Sequence, residues 1–149
     1  MFPFPALLAD IGGTNARFWL LTGLEAQPSA MLRLETAAHG TFADAVEVAL
    51  ARGGFPRPKS LLIGAAGPVR QRSVALTNAS WLIEGPALAD QLGLDQGILL
   101  NDFETLALAL PALAPADLMA IGTEAPRDGL KLVIGPGTGL GVGALALAG

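Results

Sequence analysis

The sequence predicts an α/β protein, and three observations carry that expectation. Short apolar runs of strand character alternate with stretches whose apolar residues recur at helical spacing. The 19 Gly and 11 Pro fall between these runs rather than in one tract, so they punctuate short elements. A 149-residue chain that is 52% hydrophobic and 15% charged has the make-up of a packed domain with its own core, not of a disordered segment.

Taken in order, Ala6 to Ile11 and Ala16 to Leu21 are two apolar runs separated by a glycine-containing turn, which predicts a β-hairpin. Met31 to Leu34 adds a third strand. The period then changes: Phe42, Ala45, Val46, Ala49 and Leu50 share one helical face. Thr41 followed three residues later by Asp44 predicts a capped start, and Gly53-Gly54 a stop. Ser60 to Ala66 returns to strand character, is turned by Gly67-Pro68, and is expected to pair with Ser73 to Thr77. Pro86 to Leu92 predicts a short helix, and Gly97 to Leu100 a buried strand with Asn101-Asp102 at its carboxyl end. Phe103 to Leu110 predicts a helix closed by Pro111. Leu130 to Ile134 and Val142 to Ala148 are the last strands. The chain closes on an apolar run without a cap, charged tail or covering helix. The expectation is a chain cut short, against the plainer alternative of a small domain with an atypical edge strand.

Thirteen acids against nine bases give a formal net charge of -4, with no general attraction for nucleic acid. Any phosphate must then be held locally, by backbone N–H groups, a helix end or a metal ion. The absence of cysteine excludes a disulfide framework and thiolate metal sites and fits a reducing, cytoplasmic setting. The apolar start lacks a basic region and meets Asp10 early, unlike a signal peptide. Leu132 to Gly149 is 18 residues without a charge, the length of a membrane span, but six of them are Gly and one is Pro. Alternating glycines suit a tight turn feeding a strand, so no membrane association is expected.

Three motifs carry candidate chemistry. In Asp10-Ile11-Gly12-Gly13-Thr14-Asn15, paired glycines let backbone N–H groups close on an anion, and Thr14 and Asn15 add side-chain donors. Asp10 is the candidate Mg²⁺ residue, because that ion takes one or two carboxylates and keeps its waters. The competing view is a plain hairpin turn. No Gly-Lys-Ser/Thr follows, so this is no Walker loop, and the protein-kinase signatures are absent. In Leu100-Asn101-Asp102-Phe103, a carboxylate ends a strand where ligands gather in α/β sheets, placed to take a proton from a hydroxyl. Asn101 can donate to and accept from sugar hydroxyls. The competing view is that both residues cap the next helix. Gly135-Pro136-Gly137-Thr138-Gly139-Leu140-Gly141 suits a second phosphate turn or a simple glycine hairpin. Its formal match to a dinucleotide fingerprint lacks the helix that should open at Gly141. Thr77-Asn78 beside Trp81 offers polar groups next to an aromatic face, although a buried Trp anchoring a loop accounts for it as well. His39 has no assigned role.

Together these segments resemble the bacterial glucokinase family, within the hexokinase and actin-like ATPase superfamily. LADIGGTNARF is similar to its first phosphate loop, and AAGPV with LTNASW to its sugar-side segment. LLNDFETLALALP is similar to its catalytic strand and helix, and VIGPGTGLGVGAL to its second phosphate loop. The resemblance implies a ribonuclease H-like (actin-like ATPase) lobe, a mixed sheet with flanking helices, over residues 1–111. Residues 112–149 would then be the first strands of a second, truncated lobe. It implies ATP-dependent phosphorylation of the glucose 6-hydroxyl, with Mg²⁺, and a homodimer.

Residue by residue, the resemblance makes Asp102 the general base and puts Asn78, Asn101, Asp102 and Gly139 on the sugar. It lines the nucleotide with Ala9, Asp10, Ile11, Gly12, Gly13, Thr14 and Thr138, Asp10 lying near the metal. Family members are considerably longer and carry further sugar carboxylates, a Glu-x-x-His segment and an adenine pocket beyond the second loop. Weak or no turnover is therefore expected of residues 1–149 alone. Two other readings stay open. One is the related kinase and repressor family with an Asp-x-Gly-Gly-Thr loop, which usually has Lys where this chain has Asn15-Ala16-Arg17. The other is a non-catalytic nucleotide- or sugar-binding module.

Overall fold

A computed structural model describes residues 2–76, 79–122, 129–136 and 140–146. It divides into two compact units, Met1–Asp102 and Phe103–Gly149.

The first unit is built on a five-stranded mixed sheet. Its strands are β1 (Ala6–Ile11), β2 (Asn15–Leu21), β3 (Leu32–Glu35), β4 (Ser60–Ala65) and β7 (Gln96–Asn101), in the order β3-β2-β1-β4-β7. β1, β2 and β3 pair antiparallel, whereas β4 and β7 run parallel to β1. This is the sheet of an actin-like ATPase lobe. Strict alternation along β1, β2 and β4 sends Leu7, Ala9, Ile11, Phe18, Leu61 and Ile63 into one buried face. Helix α1 (Phe42–Gly53) packs Phe42, Ala45, Val46, Ala49 and Leu50 against that face, and α2 (Gly85–Leu92) adds Leu88, Ala89 and Leu92. The predicted cap of α1 is present in full: Thr41 Oγ1 accepts from Asp44 N at 3.1 Å, and Asp44 Oδ2 accepts from Thr41 N at 3.1 Å. The helix ends at Gly54 in the left-handed conformation, as its sequence predicts.

Two expectations are corrected. Of the expected partner of β4, Ser73 to Thr77, Thr77 lies outside the described residues, and the described part does not pair with β4. Residues Ser73–Ala75 form β5, which pairs antiparallel with β6 (Leu82–Glu84) in a separate two-stranded sheet. At three residues β6 is too short to show a period, and both sides of β4 are already taken by β1 and β7. The second correction concerns β7, which is an edge strand rather than a buried one. Among the described residues it pairs with β4 alone, and of its own residues only Leu99 is buried.

Trp81 takes the structural option. Its ring lies 5.5 Å from Phe42, which stacks 6.1 Å from Phe18, and its Nε1 donates to the His39 carbonyl at 2.9 Å. Burying an indole requires such an acceptor, and the bond ties the β6 approach to the turn before α1.

The turn before β5 is strained. Arg70 and Ser73 exchange two backbone hydrogen bonds of 2.9 Å around Gln71 (φ 50°) and Arg72 (φ 64°). This is a type I′ geometry, in which both central residues pay for a left-handed backbone that Asn-Gly adopts readily. Replacing Gln71-Arg72 with Asn-Gly should raise stability by about 1 kcal/mol, read as a Tm increase of about 3 °C in thermal unfolding.

The second unit contains α3 from Phe103 onward (the helix spans Asp102–Ala109), two short 3-10 turns at Leu110–Ala112 and Pro115–Asp117, and the hairpin β8 (Lys131–Pro136) with β9 (Leu140–Leu145). Pro111 falls in the first 3-10 turn, where the helix was expected to close. The described part of the uncharged stretch from Leu132 is therefore antiparallel strand. Among the described residues no helix is long and apolar enough to cross a membrane.

The hairpin glycines have a packing role. A Cβ on Gly141 would lie 1.9 Å from the Phe103 ring, one on Gly135 2.6 Å from it, and one on Gly143 2.4 Å from the Phe103 carbonyl oxygen. The bare backbone of this hairpin is thus the seat for Phe103.

Candidate phosphate and sugar site

Parallel pairing sets the geometry of the site. Ile11 is in register with Ala65, and Ala65 with Asn101, so β1, β4 and β7 end together. The Gly12-Gly13-Thr14 loop, the Ala66-Gly67 turn and Asp102 consequently share one edge of the sheet. Two strand spacings separate the ends of β1 and β7, about 10 Å. The carboxyl edge of parallel strands is where α/β sheets bind ligands.

The loop after β1 is tightly held. Gly12 N donates to Asn15 O at 2.9 Å and closes the turn. From the end of β3, Thr36 N donates to Thr14 O at 3.0 Å, and Thr36 Oγ1 donates to Gly12 O at 3.3 Å. Arg33 Nε donates to Asn15 Oδ1 at 2.8 Å, which leaves the Nδ2 end of that amide as its donor end. The N–H groups of Gly13 and Thr14 have no acceptor among the described residues. Two consecutive backbone donors without a partner among the described residues, on a loop with Thr14 exposed, are the chemistry an anion requires. Ala9 and Ile11 are buried on the core face, where their side chains hold the loop from beneath.

Asp10 lies on the opposite face of β1, directly across from Arg17. Arg17 NH1 meets Asp10 Oδ2 at 2.7 Å, and both side chains are 40% or more exposed. A pair this exposed contributes little to stability. Among the described residues no three His, Cys, Asp or Glu side chains gather to hold a metal. One half-exposed carboxylate suits Mg²⁺ that keeps its waters and arrives with phosphate, and does not suit a protein cage.

On β7, Asn101 Nδ2 donates to the Gly67 carbonyl at 2.8 Å, and Ala66 N donates to Ile11 O at 2.9 Å. These two bonds stitch all three strand ends together. Asn101 thus spends one amide donor on the AAGPV turn, a role that its residue type alone did not indicate. Asp102 is half-buried and opens α3. The predicted site residues Asn78, Thr138 and Gly139 lie outside the described residues. Thr36, Arg33 and Arg17 were not anticipated. The first two reach the loop from 18 to 24 positions away, and only the pairing of β2 with β3 brings them there.

The sheet order is that of an actin-like ATPase lobe. The glucokinase family model matches residues 7–149, and this chain belongs to the glucokinase family. A glucokinase of Sinorhizobium medicae is 40% identical over 99% of this chain and 44% of its own length. One of Allorhizobium ampelinum is 42% identical over 96% of this chain and 42% of its own. The crystal structure of glucokinase from an Antarctic psychrotroph matches with a TM-score of 0.84 and 30% identity, covering 98% of this chain and 47% of that one. The chain therefore spans less than half the length of the relatives it matches.

Proposed function

We propose that this chain supplies the first phosphate loop and the base of a glucokinase that transfers the γ-phosphoryl group of ATP to the 6-hydroxyl of glucose. The observation that carries the proposal is the shared strand edge, with Gly13 and Thr14 N–H groups that have no acceptor among the described residues at one end and the Asp102 carboxylate about 10 Å away at the other. In this reading Gly13 and Thr14 bind phosphate oxygens through backbone N–H groups, with Thr14 Oγ1 and Asn15 Nδ2 as further donors. Ala9, Ile11 and Gly12 shape the loop. Asp102 accepts the proton of the 6-hydroxyl as its oxygen attacks phosphorus, and Asn78, Asn101 and Gly139 orient the sugar. Thr138 contacts phosphate from the second glycine turn. Asp10 would hold Mg²⁺, which would supply neutralisation of phosphate charge. Positioning and charge stabilisation are what phosphoryl transfer requires of a protein. The same reading carries a cytoplasmic homodimer, divided into lobes at residues 1–111 and 112–149.

Residues 1–149 by themselves are expected to turn over weakly or not at all. In the enzyme that contains this chain, glucose should be phosphorylated and 6-deoxyglucose, which lacks the acceptor hydroxyl, should only inhibit. ADP release stimulated by 6-deoxyglucose as strongly as by glucose would remove the 6-hydroxyl, and with it Asp102, from the reaction.

A further inference from the structure

Thr36 is one of two buried polar residues among those described, and it is fully inaccessible. The other, Ser60, bonds the carbonyl of Pro3 and so ties down the chain start far from the loop edge. Thr36 instead spends both its backbone N–H and its hydroxyl on the glycine loop, on the carbonyls of Thr14 and Gly12. The consequence follows from peptide geometry. In a planar trans peptide the C=O of one residue and the N–H of the next point in opposite directions. A Gly12 carbonyl drawn toward a buried hydroxyl therefore aims the Gly13 N–H away from the core, toward the open edge of the sheet. Gly12 N is already committed to Asn15 O, so the preceding peptide plane, Ile11–Gly12, is held as well. Glycine is otherwise free to flip such a plane, which would present a carbonyl to an incoming anion.

We propose that Thr36 is a positioning residue of the phosphate loop, its hydroxyl setting the Gly12–Gly13 peptide so that the Gly13 N–H faces the phosphate. The inference rests on the phosphate-loop reading given above and adds to it the group that fixes the loop's polarity. Thr36 itself touches no ligand.

The test uses the full chain labelled with ¹⁵N, titrated with tripolyphosphate and followed at the Gly13 and Thr14 amides. Thr36→Val keeps the side-chain shape and removes the hydroxyl, whereas Thr36→Ser keeps the hydroxyl. Thr36→Ser should saturate within about threefold of the wild-type concentration, and Thr36→Val should need about tenfold more, the worth of one hydrogen bond. A folded Thr36→Val protein that binds like wild type overturns the role of Thr36 and leaves the loop reading standing. Wild-type Gly13 and Thr14 amides that ignore tripolyphosphate overturn both. Should Thr36→Val fail to fold, amide hydrogen exchange of the wild-type chain decides. Gly13 should exchange fast without ligand and slow on adding tripolyphosphate, while Gly12 stays protected throughout. A Gly13 amide already protected without ligand contradicts the proposal.

Discussion

Asp102→Asn should lower kcat for glucose phosphorylation by about 10²- to 10⁴-fold in the enzyme containing this chain, the range for losing a general base. Glucose affinity should change little, because Asn keeps the size of the side chain and one of its two acceptor oxygens. Asp102 is half-buried at the end of β7, level with the loop that follows β1, so an isosteric replacement leaves the strand edge as it is. A coupled ADP assay measures the rate, and calorimetry with glucose measures binding. A variant with kcat within tenfold of wild type would take proton transfer away from Asp102. Loss of glucose binding with no rate to lose would favour a binding module.

The largest stability effect is expected at Gly97. A Cβ there would lie 2.1 Å from the Gly85 carbonyl oxygen and 3.1 Å from Ala89 Cβ. The clashing oxygen is backbone at the start of α2, so no rotamer change relieves it; the helix itself must move away from β7. Gly97→Ala should cost about 3 kcal/mol, at the upper end of overpacking, and lower Tm by about 10 °C. Chemical denaturation gives the free energy directly. A variant as stable as wild type would mean that α2 does not ride on β7 as closely as described. Because β7 ends on Asn101 and leads directly into Asp102, the same variant should weaken the site at a distance.

What was legible in the sequence was local. The alternation of β1, β2 and β4 and the Thr41/Asp44 box of α1 are periodic or short-range signals, and each was found where expected. What was not legible depends on chain segments meeting. β6 is three residues long and has no period of its own, so β5 was given the wrong partner. The edge position of β7 follows from sheet order, which an apolar run cannot report. In the candidate site, Asp10, Gly12, Gly13 and Asp102 are candidates by residue type and by a turn or strand end beside them. Arg33 in β3 and Thr36 just after it are unremarkable in the sequence and acquire meaning only when β3 pairs with β2. The run from Gly135 to Gly141 suits a phosphate turn or a plain glycine hairpin by its residues alone. For Gly135, Gly141 and Gly143 the structure adds a packing cause, the close seat of Phe103, which no spacing rule distinguishes from either.

The most direct test of the account is glucose-dependent formation of glucose 6-phosphate from Mg²⁺-ATP, measured on this chain together with whatever residues follow Gly149 in its reading frame. The account predicts turnover that requires glucose and disappears in Asp102→Asn. A folded protein of that length that binds ATP yet forms no glucose 6-phosphate would contradict it.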